Sequence, residues 1–213
     1  LSVSGGSEIT FNYNNLRKYF DVFSNTNIQW KGNLRTNINF VHVLNEEFSG
    51  FIGKNLTKLR MFNSYNPNES IRLGVFTSFG ESLRYEENNP SVGKSFEFGT
   101  FNNFQLNSKI QISQSLRYEQ LRSKEDNSLF FKGYIGRINM NYQFNKDLSF
   151  RLIGEYNDFD KAFFYQPLFK WNPNPFTIFY IGGSNGYSRI ENKNKFSIDN
   201  SNIYLKFQYL FDL

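Results

Sequence analysis

The chain has 213 residues, 19% of them aromatic, and a mean hydropathy of −0.55, because Asn, Ser, Lys and Arg separate the aromatic residues; its length suits one all-β domain and does not require a second. The net charge is +5, but Lys and Arg are spread along the chain among 19 acidic residues without a basic cluster, so nucleic acid is not an expected partner. No Cys is present and no run approaches the roughly 18 apolar residues of a membrane helix, which excludes thiol chemistry, Cys-based zinc sites and a helical membrane protein.

Apolar and polar residues alternate from end to end, and this period of two predicts β-strands. The predicted strands lie near 8–13, 20–30, 34–44, 58–65, 70–85, 94–105, 109–121, 129–144, 147–157, 162–171, 175–186 and 202–213. Residues 51–57 have no clear period and are interpreted as loop. Twelve is an even number, as expected for a single-chain bacterial outer-membrane barrel.

The alternation is clearest in three consecutive strands, 109–121, 129–144 and 147–157. In each of them one face carries mostly Ile, Leu, Met, Phe or Tyr and the other carries mostly charged, amide and Ser residues, with Ile153 among them. If the apolar face meets lipid, the opposite face lines a lumen. The predicted lumen-facing polar residues are Arg117, Glu119, Arg137, Arg151 and Glu155. They could select ions or solutes, or pair with one another into a plug.

The breaks between strands are of two kinds. Short breaks with Asn beside Gly, Pro or Lys lie at 31–33, 66–69, 106–109, 145–146 and 172–174, and they are typical of tight turns. Longer polar breaks lie at 45–57, 86–93, 122–128, 157–161 and 186–201. Short and long breaks alternate, which indicates an outer-membrane barrel with tight periplasmic turns and longer external loops.

The last segment, "NIYLKFQYLFDL", alternates to its final residue. We expect it to close the barrel, because an open edge in lipid would leave backbone groups without partners. Its apolar face also resembles the C-terminal signal by which outer-membrane proteins are recognised for insertion. The predicted assembly strand carries Phe207, Tyr209, Phe211 and Leu213 on one face, and its expected partners are outer-membrane lipid, the assembly machinery and other outer-membrane proteins.

Few residues suggest a catalytic or metal site. His42 is the only histidine and is interpreted as a residue of the wall or of an interface, since one His without Cys cannot form a His-rich metal site. Glu155, Asp158 and Asp160 cluster near a loop, but they lack the spacing and the Gly of a calcium-binding EF-hand. We therefore expect a protein that is not an enzyme and needs no cofactor or metal.

The stretch 139–187 resembles a known family. Its "YQF" before a turn, the strand end "EYN", "QPLF", and "NP" followed by "TIFYIG", together with "YLF" in the last strand, resemble the C-terminal barrel of large Bacteroidota outer-membrane proteins. Those proteins carry an N-terminal family-9-type carbohydrate-binding module ahead of a domain of unknown function. The resemblance implies that residues 1–213 are a single barrel domain or the C-terminal portion of a larger one, in the outer membrane of a Gram-negative bacterium.

Three functions follow from these patterns. The first is an outer-membrane β-barrel that acts as a passive channel or as the membrane anchor of a larger surface or uptake protein. The second is a structural or assembly partner with a filled lumen, docked onto an outer-membrane machine. The third, a soluble all-β binding domain, is disfavoured by the alternation of turn lengths and by the terminal strand.

Overall fold

The computed structural model describes residues 1–189 and 195–211 and is built from antiparallel strands. Within these residues no helix is long and apolar enough to cross a membrane. The strands are β1 (Ser2–Phe11), β2 (Arg17–Gln29), β3 (Leu34–Phe48), β4 (Phe51–Asn68), β5 (Ile71–Arg84), β6 (Ser91–Gln105), β7 (Ile110–Ser123), β8 (Leu129–Gln143), β9 (Leu148–Asn157), β10 (Ala162–Asn174), β11 (Thr177–Arg189) and β12 (Phe196–Tyr209).

The strands form one up-and-down sheet in which each strand pairs with its neighbour in sequence, in the order β1 to β12. The prediction of an all-β chain with twelve antiparallel strands is confirmed. The faint pattern near 8–13 is part of β1, which begins earlier, at Ser2. Sequential pairing follows from short connections, since antiparallel strands can be joined by tight turns whereas parallel strands need long crossovers.

Asparagine closes most of the short turns, as the sequence predicted. The side chain of Asn107 accepts hydrogen bonds from the backbone N–H of Lys109 at 2.8 Å and of Ile110 at 3.0 Å. Asn145 accepts from Asp147 and Leu148 in the same manner, both at 2.9 Å. An Asn side chain that bonds the backbone two or three residues ahead mimics a backbone turn and fixes the direction of the chain.

The prediction of a loop at 45–57 is wrong. β3 continues to Phe48 and β4 begins at Phe51, so Ser49 and Gly50 alone join them, with φ of 50° and 83°. Two consecutive residues with positive φ are typical of the tight turn that matches the twist of a hairpin. Val43 pairs with Leu56 and Phe48 with Phe51, and this backbone pairing does not require alternating side chains, which is why the periodicity missed it.

The contrast between short and long connections is weaker than predicted. On one side of the sheet the connections are 30–33, 69–70, 106–109, 144–147 and 175–176, and on the other 12–16, 49–50, 85–90, 124–128 and 158–161. Strands extend into the polar segments that were expected to be loops. Of the loop expected at 186–201, residues 186–189 belong to β11 and 196–201 to β12, and residues 190–194 lie outside the described residues.

The terminal strand is also shorter at its end than predicted. β12 ends at Tyr209, and Leu210 and Phe211 follow it without strand pairing of their own. One backbone bond, from Leu210 N–H to the carbonyl of Phe176 at 2.9 Å, continues beyond the strand. Leu213 lies outside the described residues.

The chain divides into two compact units. Unit 1 comprises residues 1–67, 73–100 and 117–133, and unit 2 comprises 68–72, 101–116 and 134–213. In unit 1 a small apolar cluster of Val43, Leu56 and Leu83 is buried, with Tyr19, Val41, Phe48, Phe51 and Val92 packed against it. In unit 2 aromatic rings from neighbouring strands contact one another, as Phe150 and Phe169 do with centroids 4.7 Å apart.

Candidate functional site

The strands of unit 2 have one polar and one apolar face. In register, Arg137 of β8 is opposite Glu155 of β9, Arg151 is opposite Leu168 of β10, and side chains two apart on a strand share a face. We define the polar face of unit 2 as Arg137, Asn139, Asn141, Gln143, Ser149, Arg151, Ile153, Glu155, Phe164, Gln166, Leu168, Lys170, Tyr180, Gly182, Tyr204 and Lys206, which the strand pairing places together.

The apolar face carries most of the exposed large side chains, while Leu148, Phe150 and Leu152 of β9 on the same face are half-buried. Ile138, Phe163, Phe169, Trp171, Ile181, Ile203, Leu205 and Phe207 are between 40% and 87% exposed. On the polar face Asn139, Asn141, Arg151, Glu155, Gln166, Lys170 and Tyr180 are half-buried, and Arg137, Gln143 and Lys206 are exposed. This is the reverse of a soluble sheet, which packs its apolar face into a core and leaves its polar face in water.

Arg137 and Glu155 form an ion pair across β8 and β9. The guanidinium Nη1 of Arg137 donates to Oε2 of Glu155 at 3.3 Å. The side chain of Arg137 is 51% exposed and that of Glu155 33%, so the pair is screened by solvent and contributes less than about 1 kcal/mol to stability. The pair neutralises both charges at this point of the polar face.

Unit 1 contains the more buried ion pairs. Glu97 of β6 accepts from Lys58 of β4 at 3.0 Å and from Arg117 of β7 at 3.1 Å. The side chains of Lys58 and Glu97 are each 13% exposed. Arg117 also lies 3.7 Å from Glu119. The pair between Lys58 and Glu97 crosses over β5 and so joins β4 to β6.

The predicted lumen residues therefore fall into two groups. Arg117 and Glu119 share the network of unit 1, whereas Arg137, Arg151 and Glu155 share the polar face of unit 2. The sequence did not single out Glu97 or Lys58, which hold the network together. Glu97 alternates with Phe96 and Phe98 in "KSFEF", which was the available signal. The ion pair between side chains of β4 and β6 across an intervening strand is visible only in the structure.

In the C-terminal strand Phe207 and Lys206 lie on opposite faces of the sheet. Phe207 is opposite Phe179 of β11, with ring centroids 5.0 Å apart, and Tyr209 contacts Phe211 at 4.8 Å. Lys206, on the opposite face, lies over the ring of Tyr180 at 5.8 Å. Phe207, Tyr209 and Phe211 are each at least half exposed.

His42 and the acidic loop between β9 and β10 have local partners. His42 Nδ1 lies 3.0 Å from the hydroxyl of Thr57, on the neighbouring strand. Asp158 accepts from the ammonium of Lys161 at 2.6 Å, which raises the pKa of Lys161. Asp160 accepts from the amide of Asn157 at 2.6 Å. Across residues 1–189 and 195–211, no three His, Cys, Asp or Glu side chains are grouped so as to hold a metal ion.

The loop between β7 and β8 holds a carboxylate in its ionised form. Hydrogen bonds from the hydroxyls of Ser123 and Ser128 lower the pKa of Asp126 to about 2. The Ser128 hydroxyl donates at 2.8 Å and its backbone N–H at 3.1 Å. This loop therefore keeps its negative charge even in mildly acidic solution.

Comparison with protein-family models gives no match, and comparison with curated proteins gives none either. Among solved structures, the chain is similar to a KdgM porin in complex with disordered oligogalacturonate, with 11% identity, 99% of this chain and 98% of that chain covered, and a TM-score of 0.33. It is similar to a NanC porin with 11% identity, 98% and 99% coverage and a TM-score of 0.34. Neither likeness is close enough to transfer a function to this chain.

Proposed function

We propose that the chain forms a transmembrane β-barrel of a Gram-negative outer membrane and acts as a passive channel. The single observation that supports this most strongly is the reversed distribution of side chains in unit 2, with most of the exposed large side chains on the apolar face and most of the polar face half-buried. Exposed Phe, Leu and Ile side chains are unfavourable in water, whereas the apolar tails of lipid solvate them without that free-energy cost. The strand lengths also suffice, since crossing a bilayer takes about 9–11 tilted residues.

Closure of the sheet is part of this proposal. The sheet begins with β1 and ends with β12, and every residue of β1 is exposed. In lipid an unpaired strand edge costs several kcal/mol per unsatisfied backbone group. A barrel therefore requires β1 and β12 to find partners, either each other or strands of a longer chain.

We expect the protein to require detergent and to migrate differently on SDS gels before and after boiling. A closed barrel keeps its backbone hydrogen bonds inside the sheet, so SDS alone unfolds it slowly and the compact form migrates separately. The measurement is gel mobility of detergent-extracted protein with and without heating. A monodisperse monomer in plain buffer would contradict the membrane assignment.

Conductance separates an open channel from a filled barrel. We expect purified protein added to a planar lipid bilayer to produce stepwise increases in ionic current, because the polar face of a barrel lines an aqueous path. Boiled protein is the control. Folded protein that inserts but gives no current steps would instead favour the second candidate.

That second candidate is a structural or assembly partner with a filled interior. The buried cluster of Val43, Leu56 and Leu83 and the ion pairs of Glu97 favour it, since both occupy space with side chains. In this case the apolar face would be the docking surface for other outer-membrane proteins. The absence of current in the bilayer, together with co-purification of such a partner, would support it.

The row of Phe207, Tyr209 and Phe211 supports a role in insertion by the outer-membrane assembly machinery, which we include in the proposal. We also propose membership of the Bacteroidota family that the stretch 139–187 resembles, with this chain as its barrel portion. No catalytic role, cofactor or nucleic-acid partner is assigned. Sequencing the gene upstream of Leu1 tests the family assignment, because a carbohydrate-binding module encoded there would support it and any unrelated domain would oppose it.

A further inference from the structure

The polar face of unit 2 contains a cleft lined by three cationic side chains. Lys109, Arg151 and Lys170 contribute to its wall together with amide and hydroxyl groups, and its volume is about 470 Å³. Small-molecule sites in proteins range over about 300–1,000 Å³. The cleft therefore has room for a solute with several polar groups.

Among the described residues, no acidic residue lines the cleft beside these positive charges. In the described part of the chain Lys109, Arg151 and Lys170 also take part in no ion pair. Some cations outside the cleft do pair with acids, as Arg137 with Glu155 and Lys58 with Glu97. Like charges that share a cleft without counter-charges repel one another and attract anions.

Arg151 lies at the centre of this arrangement. Strand pairing sets it between Asn141 and Leu168, and Lys170 between Ser149 and Tyr180. The Nε–H of Arg151 is buried without a hydrogen-bond partner among the described residues. An oxyanion is the ligand that a guanidinium best accommodates, since its planar N–H groups match two oxygens.

We propose that this cleft binds a small oxyanion, either a carboxylate or a phosphate. Arg151 would hold the anion by charge-assisted hydrogen bonds, Lys170 and Lys109 would add positive charge from the two sides, and the side chains of Asn141, Gln111 and Tyr180 would bind the polar remainder. The proposal extends the proposed function, because a barrel interior is where an aqueous solute would reach the polar face.

The test is isothermal titration of the detergent-solubilised protein with citrate and, separately, with inorganic phosphate, using glycerol as the neutral control. We expect at least one anion to bind with a dissociation constant at or below about 1 mM, and binding to weaken with added salt. Binding of citrate but not phosphate would identify a carboxylate site, and the reverse a phosphate site. Absence of binding by both anions would overturn the proposal.

Three variants locate the site. Arg151→Gln and Lys170→Gln should each weaken anion binding about tenfold or more, since each removes a charge-assisted contact. Lys146→Gln removes the same charge from the exposed turn between β8 and β9 and should leave binding unchanged. Equal weakening by all three variants would mean a general charge effect and would refute the cleft.

The variants must be shown to fold, which their heat-dependent gel mobility reports. If either cleft variant misfolds, the ¹⁵N resonance of the Arg151 Nε in the wild-type protein provides a second test, because it should shift on anion addition and stay unchanged with glycerol. Anion binding without bilayer current would leave this site standing and refute the channel. Current without anion binding would support the channel and refute this site.

Discussion

Replacing Gly80 by Ala should prevent this protein from folding or destabilise it severely. The φ of Gly80 is +146°, and a Cβ built there would lie 2.1 Å from the carbonyl oxygen of Thr57 and 2.7 Å from the Cα of Lys58. Both contacts are with backbone, which cannot rotate away. The unusual φ costs a non-Gly residue about 1–3 kcal/mol, and the forced separation of β4 and β5 adds about 1–3 kcal/mol.

The local hydrogen bonding explains why the strands approach so closely there. The N–H of Thr57 donates to the carboxylate of Glu81 at 3.4 Å, and the hydroxyl of Ser95 donates to the carbonyl of Gly80 at 3.4 Å. Side chains thus satisfy backbone groups where a strand bends, as happens at irregular positions of a sheet.

The measurement is the free energy of unfolding in detergent micelles, or the folded fraction on unheated gels where the variant does not refold. Gly136→Ala is the matched control, because the nearest atom to a Cβ at Gly136 is the Leu116 side chain at 3.8 Å and its φ is ordinary. The control should change stability by less than about 1 kcal/mol. Equal stability of the two variants would contradict the close approach of β4 and β5 at Gly80.

The second large effect is expected at Phe207. If the exposed face meets lipid, Phe207→Arg should cost about 2–4 kcal/mol, the cost of an arginine at a mid-bilayer lipid-facing position in an outer-membrane barrel. Loss of the ring contact with Phe179, whose centroid lies 5.0 Å away, adds about 0.5–1.5 kcal/mol. We expect reduced assembly in the outer membrane and a lower midpoint of urea unfolding.

The neighbouring lysine distinguishes the two faces. Lys206 lies over Tyr180 on the polar face, and Lys206→Arg preserves its charge and should have little effect. Lys206→Phe removes that charge and should act on the interior, leaving assembly largely intact. Tolerance of Phe207→Arg combined with failure of Lys206→Phe would show that the lipid-facing and inner faces are reversed, and the same correction would then apply to β9.

The two face assignments were predictable because they depend on neighbouring residues alone. In β9, "LSFRLIGEY" places Arg151 and Glu155 on one face whatever strand lies beside it, since successive side chains point to opposite sides. The order of the strands was predictable for a related reason. When connections are short, each strand pairs with the next, so the topology follows from where the turns lie.

The ends of the strands were less predictable. Residues 51–57 lack alternation, yet they pair with β3 because the backbone N–H and C=O groups of any residue except proline can join a ladder. The alternating pattern of "NIYLKFQYLFDL" runs past Tyr209, yet β12 ends at Tyr209, because pairing at an edge depends on the neighbouring strand that is present. Periodicity reports which face a side chain will occupy and does not report where pairing stops.

The sequence by itself determined the strand class, the strand order and the division into polar and apolar faces. The tertiary structure decided which polar side chains meet: Lys58 with Glu97 across an intervening strand, Arg151 beside Lys170 in a cleft without acids, and Gly80 against the backbone of Thr57. The physical reason is that alternation is a local property with a period of two residues. Contacts across a face depend on the register and the bends of several strands, and many distant residues set these jointly.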